Sequence, residues 1–170
     1  MATIHLIEGP VGVGKSTFAG RMSVSQGLPL LNLDEWMVNL FSPDRPSTDF
    51  MAWYAECKQR CLRQIWLVAT ELIETGHSVI LELGLVQRNE RQDFYDRVDA
   101  AGYELKLYVL DAPKALRKQR VLERNEQQGS TFRMTVSEEI FELADRAWEP
   151  LHEDEYQGRE IQFIDTAPSN

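Results

Sequence analysis

Residues 9–16 of this 170-residue chain read Gly9-Pro10-Val11-Gly12-Val13-Gly14-Lys15-Ser16. The spacing Gly-x4-Gly-Lys-Ser lets the backbone curl so that its N–H groups point inward at an anion. A short apolar run at residues 3–8 precedes the stretch, and a helical pattern begins at Lys15. A strand, such a loop and a helix N-terminus together form a binding site for nucleotide phosphates. The alternative, a glycine-rich turn without chemical meaning, leaves this context unexplained.

The end of the loop carries the side chains that act on phosphate and metal in this motif. Lys15 can reach the β- and γ-phosphates, and Ser16 can ligate Mg²⁺. Thr17 is expected to make a further phosphate contact. The sequence therefore predicts that residues 9–17 bind ATP, with Mg²⁺ as the accompanying metal.

Apolar patterns along the rest of the chain alternate between strands and helices. Strands are predicted at residues 3–8, 30–33, 78–83, 104–110 and 160–165. Helices are predicted at residues 15–25, 49–75, 89–101 and 113–127, and another begins after Ser137. This alternation predicts an α/β fold, a parallel sheet with helices on both faces. No internal repeat or low-complexity segment is found, so we expect a single domain over residues 1–170.

Asp34 directly follows the second predicted strand. Ligands of open parallel sheets lie at the carboxyl ends of the strands, so Asp34 is expected in the same crevice as the phosphate loop. A carboxylate there can contact the acceptor substrate and can orient or deprotonate its attacking hydroxyl. The alternative is that Asp34 caps the N-terminus of a following helix, and the two roles can coexist.

Glu82 ends the apolar run of the third predicted strand. Enzymes with this type of loop place a carboxylate there that orients Mg²⁺ through water, although the usual residue is Asp. We therefore regard Glu82 as a candidate metal-side residue. A carboxylate that simply faces solvent at the end of a strand is the alternative.

Two arginines, Arg88 and Arg91, follow the third predicted strand. Arginines beside a crevice can clamp an anionic substrate or stabilise a phosphoryl group during transfer. Both are therefore candidate substrate-binding residues. The alternative is a solvated helix start.

Basic side chains recur at steps of three and four on one predicted helix face: Arg117, Arg120 and Arg124. Arg133 lies in the loop beyond that helix. Such a ladder would suit a lid, at about residues 115–137, that brings positive charge onto ATP phosphates when it closes. The alternative is an exposed helix face on which the arginines pair with Glu123 and Glu126.

The composition narrows the class of partner. The formal net charge is −9, with 43% apolar and 26% charged residues. This charge disfavours a nonspecific nucleic-acid binder, which needs a basic surface. No bilayer-spanning apolar run and no secretory signal are found, and Cys57 and Cys61 are interpreted as reduced core thiols. We therefore expect a cytoplasmic protein with a small-molecule partner and no membrane contact, either a monomer or a dimer.

Taken together, these motifs resemble the zeta-toxin, chloramphenicol-phosphotransferase and polynucleotide-kinase-like group of P-loop kinases, often classified as AAA-type ATP-binding domains. The resemblance covers nearly the whole chain. It is carried by residues 9–17, by Asp34, by Arg120-x3-Arg124 and by the closing strand at residues 161–165. The resemblance implies a three-layer P-loop NTPase fold with five parallel strands in the order 2-3-1-4-5 and a short helical lid.

The resemblance also implies roles for individual residues. Asp34 matches the general base of the group, and Arg120 and Arg124 match lid arginines that touch ATP. The segment Thr166-Ala167-Pro168 would lie beside the adenine. One departure is the sequence after the third strand, Glu82-Leu83-Gly84-Leu85, where the group often has Asp followed by small polar residues.

The activity expected from these observations is transfer of the ATP γ-phosphate to a hydroxyl of a small-molecule acceptor. Lys15, Asp34, Arg120 and Arg124 are the predicted catalytic residues. Three alternatives remain open at this point: a polynucleotide 5′-hydroxyl kinase, a nucleotide-binding or toxin-like module with little turnover, and a nucleotide hydrolase.

Overall fold

A computed structural model describes residues 1–128, 135–156 and 158–168. The strands are β1 Thr3–Glu8, β2 Leu30–Asn32, β3 Val79–Glu82, β4 Glu104–Asp111 and β5 Glu160–Asp165. The helices are α1 Lys15–Gln26, α2 Leu33–Phe41, α3 Phe50–Glu74, α4 Arg88–Ala101, α5 Lys114–Gln127, α6 Glu138–Ala147 and α7 Glu153–Tyr156. A short 3₁₀ helix at Ser42–Asp44 follows α2. None of the helices in these described ranges has the length and apolar character of a membrane-spanning segment.

The five strands form one sheet in the order β2-β3-β1-β4-β5, and every neighbouring pair is parallel. The predicted α/β class and the strand order 2-3-1-4-5 are therefore confirmed. In a parallel sheet all carboxyl ends meet at one edge. The loops that carry the candidate site residues therefore leave the sheet on the same side.

Alternate residues of each central strand pack against opposite helical layers. On one face, Ile4 and Leu6 of β1 join a core with residues of α3 and α4. On the other face, Ile7 of β1 packs with Ile80 of β3 and with Met22 of α1. Whether a strand-end residue is an odd or an even position of its strand therefore decides which helical layer its side chain contacts.

The structure corrects one alternative for Asp34. β2 ends at Asn32, and α2 begins at Leu33. The side-chain oxygen of Asn32 accepts a hydrogen bond from the backbone N–H of Glu35 at 2.9 Å, so Asn32 is the N-cap of α2. Asp34 lies in the first turn of the helix instead, so the alternative that it caps the helix is wrong.

Candidate nucleotide-binding and catalytic site

The phosphate loop connects β1 to α1 and is held tightly by neighbouring backbone. A Cβ atom added at Gly9 would lie 2.6 Å from the carbonyl oxygen of Leu110. At Gly12, where φ is 76°, it would lie 2.5 Å from the carbonyl oxygen of Arg117. Both approaches are too close for any side chain, so glycine is required where the loop passes β4 and α5.

Lys15 lies across the inside of this loop. Its ammonium donates hydrogen bonds to the carbonyl oxygens of Gly9 at 2.7 Å and Pro10 at 3.0 Å. Burial lowers the pKa of Lys15, and the nearby carboxylates of Glu82 and Asp34 oppose that effect. The amine therefore lies where the loop, the end of β3 and the start of α2 meet.

Glu82 is buried, with 5% of its surface exposed, and lies beside the first turn of α1. The hydroxyl of Ser16 donates to Oε1 of Glu82 at 2.8 Å, and the Asn32 amide donates to Oε2 at 2.6 Å. Burial raises the pKa of Glu82, whereas the Lys15 charge and the Ser16 hydrogen bond lower it. The alternative that Glu82 faces solvent is therefore wrong.

The donor set at Ser16 fits a magnesium ion held mainly by phosphate oxygens and water. The described residues contain no cluster of three or more His, Cys, Asp or Glu side chains that could hold a metal by themselves. One hydroxyl with one carboxylate behind it, as in Ser16 and Glu82, is the oxygen-only arrangement that Mg²⁺ uses in nucleotide sites. Ser16 is the candidate direct ligand, and Glu82 would act through water.

Asp34 lies in the first turn of α2, at the carboxyl end of β2. Burial lowers the pKa of Arg124, and the charge of Asp34 is the largest effect opposing it. The charge of Asp34 also raises the pKa of Lys15 against the effect of burial. Asp34, Lys15 and Arg124 are therefore near enough to act on one another electrostatically, although they come from three separate segments of the chain.

The three arginines of α5 have different surroundings. Arg117 donates to the carbonyl oxygens of Ala112 and Val11, both at 3.0 Å, and to Asp145 at 2.7 Å. Arg117 thus fastens α5 to the phosphate loop and to α6. The guanidinium of Arg124 is buried at Nε, which has no hydrogen-bond partner within the described ranges. Arg124 therefore retains a buried donor that no described residue uses.

Arg120 connects α5 to the segment after β5. Its guanidinium donates to the Val13 carbonyl oxygen at 3.3 Å and to the Thr166 hydroxyl at 2.9 Å. The same hydroxyl donates to the Val13 carbonyl oxygen at 2.8 Å. The segment ending at the exposed Pro168 therefore begins against the phosphate loop, where the resemblance expects the adenine.

The α5 arginines do not form the predicted alternative ion pairs with Glu123 and Glu126. Glu123 accepts a hydrogen bond from Gln119 at 2.8 Å. No ion pair joins Arg120 or Arg124 to Glu123 or Glu126 in the part of the chain that the structure describes. Arg133, the remaining lid candidate, lies outside the described residues.

Arg91 does not contact the crevice. It is fully buried, and its guanidinium donates to both carboxylate oxygens of Glu155, at 2.8 and 3.0 Å. Nη1 donates to the Val86 carbonyl oxygen at 3.3 Å. With its donors used inside the protein, Arg91 cannot clamp a substrate, and that expectation is wrong. Arg88, on the same helix, pairs with the exposed Asp154.

Two buried residues near the loop were missed in the sequence. Tyr95 of α4 donates from its hydroxyl to both carboxylate oxygens of Glu8, at 3.0 and 2.9 Å. Burial raises the pKa of Glu8 to about 7. Glu82 was singled out as a carboxylate at the end of an apolar strand. Glu8 directly precedes Gly9 and ends β1 in the same way, so the same rule could have identified Glu8. Its strand parity directs it to α4 and away from α1.

A comparison with protein families matches the AAA domain family over residues 4–151. No curated protein matches the sequence at a significant level. A candidate kinase of Chloroflexus aurantiacus has a similar structure, with a TM-score of 0.75 at 18% identity, over 97% of this chain and 85% of that chain. A gluconokinase of Sinorhizobium meliloti aligns with a TM-score of 0.62 at 17% identity, over 99% and 84%.

The PezAT toxin–antitoxin system of Streptococcus pneumoniae includes a further similar chain, with a TM-score of 0.65 at 15% identity. That alignment covers 98% of this chain and 69% of the other. At such identities the structural likenesses show a shared fold. Because the family model covers most of the sequence, the chain belongs to the AAA domain family, and its resemblance to the P-loop kinase group is confirmed.

Proposed function

We propose that this protein transfers the γ-phosphoryl group of ATP to a hydroxyl of a small-molecule acceptor. The fold and the family support a nucleotide-binding kinase in general. The narrower proposal is supported by the position of Asp34 in the first turn of α2, at the carboxyl end of β2, and by the electrostatic effect of its charge on both Lys15 and Arg124. With Glu82 assigned to the Mg²⁺ side, a second carboxylate at Asp34 suits the deprotonation of an acceptor hydroxyl.

The phosphate side of the site would be formed by the loop and by α5. Backbone N–H groups of residues 9–17 and the ammonium of Lys15 would contact the phosphates, with Lys15 exchanging its present carbonyl partners for phosphate oxygens. Ser16 and, through water, Glu82 would hold Mg²⁺, which when bound offsets phosphate charge. Arg120 and the segment 166–168 would border the adenosine part.

The acceptor side would be organised by Asp34. In the transfer, the acceptor oxygen forms a bond to the γ-phosphorus, the bond from that phosphorus to its bridging oxygen breaks, and ADP leaves. The hydroxyl proton passes to the Asp34 carboxylate. Lys15 and Arg124 stabilise the charge on the transferring group, so positioning and electrostatics supply most of the rate enhancement.

The charge of the chain favours a small acceptor over a long polynucleotide. The formal net charge is −9. A polynucleotide kinase would need basic surface along its substrate. Salt-sensitive binding of oligonucleotides by the purified protein would favour that alternative.

A screen of alcohols, sugars and nucleosides with γ-labelled ATP tests the proposal. Once an acceptor is found, Asp34→Asn should lower the transfer rate by about 10²–10⁴-fold, because the general base is lost, while ATP affinity is retained. Glu35→Gln, which removes the neighbouring negative charge in the same helical turn, is the matched control and should transfer normally. Transfer by Asp34→Asn at nearly the wild-type rate would contradict the role of Asp34. Release of phosphate to water alone would favour a hydrolase.

A further inference from the structure

Glu8 is a buried carboxyl group at the end of β1, directly before the phosphate loop, and the proposed transfer makes no use of it. Only 3% of its surface is exposed, and its strand neighbour in register is the apolar Val109 of β4. The fully buried Tyr95 of α4 donates its hydroxyl to both carboxylate oxygens, at 3.0 and 2.9 Å. No ion pair joins Glu8 to a cation among the residues that the structure describes. One hydroxyl offsets little of the cost of burying a charge, so the neutral acid is favoured at this position.

Charged groups approach Glu8 from three helices. Arg91 of α4 donates to Glu155 of α7 at 2.8 and 3.0 Å, so these two side chains form a pair whose charges cancel. Lys15 of α1 supplies a further positive charge. Burial raises the pKa of Glu8 to about 7, whereas the tyrosine hydrogen bond and the charges of Arg91 and Lys15 lower it, and Glu155 opposes them. The carboxyl group therefore gains and loses its proton near neutral pH.

The phosphate loop connects this carboxyl group to the site of the phosphates. Gly9 directly follows Glu8, and its carbonyl oxygen accepts a hydrogen bond from the Lys15 ammonium at 2.7 Å. Phosphate oxygens that bind Lys15 would offset a positive charge that favours ionised Glu8. They would also place negative charge beside a buried carboxyl group, where salt screens it weakly. Bound phosphate would therefore oppose the ionisation of Glu8.

We propose that Glu8 couples nucleotide binding to a proton: the protein binds ATP with Glu8 protonated, and an ionised Glu8 takes up a proton when ATP binds. The inference goes beyond the proposed function and rests only on its ATP-binding part. By linkage, a ligand that opposes ionisation of a group must bind less tightly once that group is ionised. ATP affinity should therefore fall as the pH rises through about 7, because the ATP-free protein loses the Glu8 proton first.

Isothermal titration calorimetry with ATP and excess Mg²⁺ tests this coupling on the intact protein. Titrations at about pH 7.5 in two buffers of different ionisation enthalpy give the number of protons taken up per ATP bound. Wild type should take up about 0.5 proton more than Glu8→Gln, whose amide keeps the size of the neutral acid but cannot ionise. The protonation of ATP itself is the same in both titrations and cancels in the difference. Between about pH 6 and 8.5, the ATP affinity of wild type should fall by about three- to tenfold relative to Glu8→Gln.

Tyr95→Phe tests the same cluster from its other side and keeps the test decisive if Glu8→Gln does not fold. Loss of the hydroxyl removes the hydrogen bond that favours ionised Glu8, so the fall in ATP affinity should shift to higher pH. The aromatic ring remains for Arg159, which lies 4.9 Å over it and pairs with Asp99. Glu104→Gln removes an exposed carboxylate at the amino end of β4, so it is the matched control and should take up as many protons as wild type.

The outcomes separate this inference from the proposed function. Equal proton uptake and equal pH dependence of ATP affinity in wild type and Glu8→Gln would overturn the inference, since a merely structural Glu8 would change stability alone. A shift of the Tyr95→Phe profile to lower pH would also contradict it. Proton uptake that depends on Glu8, with no transfer to any alcohol, would support the inference and contradict the proposed function.

Discussion

Helices α4 and α5 both carry arginines that the sequence singles out, yet the two regions differ in what those side chains face. Arg91 of α4 meets Glu155 and is enclosed with it, both side chains having 0% exposure. Arg124 of α5 has a buried Nε without a hydrogen-bond partner in the described part of the chain, and it lies near Asp34. The first arginine is neutralised inside the protein, and the second retains a donor for an anion.

The difference shows how a basic residue can be assigned to stability or to function. A buried charge that has a bidentate carboxylate partner contributes to the folded state, since removing one partner leaves the other uncompensated. A charge with an unused donor beside a crevice is costly for the fold and useful for a phosphorylated ligand. Four substitutions test that distinction, at Arg124, Arg91, Glu8 and Arg88.

Arg124→Gln should have the largest effect and should act on activity. Loss of a charge that stabilises the transferring phosphoryl group should lower the transfer rate by about 10³-fold. The free energy of unfolding should not fall, because the buried Nε has no hydrogen bond to lose. Single-turnover kinetics and urea unfolding measure the two quantities. Lys118→Gln removes a charge from the side of α5 that pairs with Glu138, so it is the control that should retain activity.

Arg91→Met should lower stability and leave the transfer activity unchanged, the reverse of what is expected for Arg124→Gln. The buried Glu155 would lose its partner, and the free energy of unfolding should fall by about 3–5 kcal/mol while the remaining folded protein transfers normally. Replacing both residues, Arg91→Met with Glu155→Met, should recover most of the loss because no unpaired charge remains. Normal stability of the single variant together with a raised acceptor KM would restore the substrate role for Arg91.

Glu8→Gln should change how stability depends on pH. The pKa of Glu8 in the folded protein, about 7, lies above its ordinary value of 4.5. Its contribution is therefore complete below about pH 4.5 and is lost as the pH rises to about 7, because the unfolded chain releases the proton first. The loss amounts to at most about 3 kcal/mol. Glu8→Gln should be more stable than wild type above pH 7, and urea unfolding at several pH values would show whether the slope disappears.

Arg88→Ala should have the smallest effect on stability. Its ion pair with Asp154 is exposed on both sides, so the free energy of unfolding should fall by about 1 kcal/mol or less. The acceptor KM is the more informative measurement. A several-fold rise in the acceptor KM would support the substrate contact predicted for Arg88. An unchanged KM would mean that Arg88 only forms its surface ion pair with Asp154.

The sequence allowed most of the fold and the phosphate side of the site to be predicted. The order of the strands followed from the family resemblance, and the loop with Lys15 and Ser16 followed from one local motif. The prediction of helix boundaries was weaker at α2, where Asn32 takes the N-cap position that Asp34 could equally have taken. Both are favoured N-cap residues, so local propensity could not choose between them.

What the sequence determined by itself is local, because neighbouring residues supply everything the motif needs. Glycines at positions 9 and 12 fix the path of the loop, and Lys15 and Ser16 follow within the next few residues. Tertiary structure decided which charges meet. Glu155 lies 64 positions from Arg91 in the chain, so no local sequence pattern predicts their ion pair. Arg91 is enclosed with Glu155 of α7, whereas the buried Nε of Arg124 has no partner among the described residues, because segments that are distant in the sequence surround the two side chains.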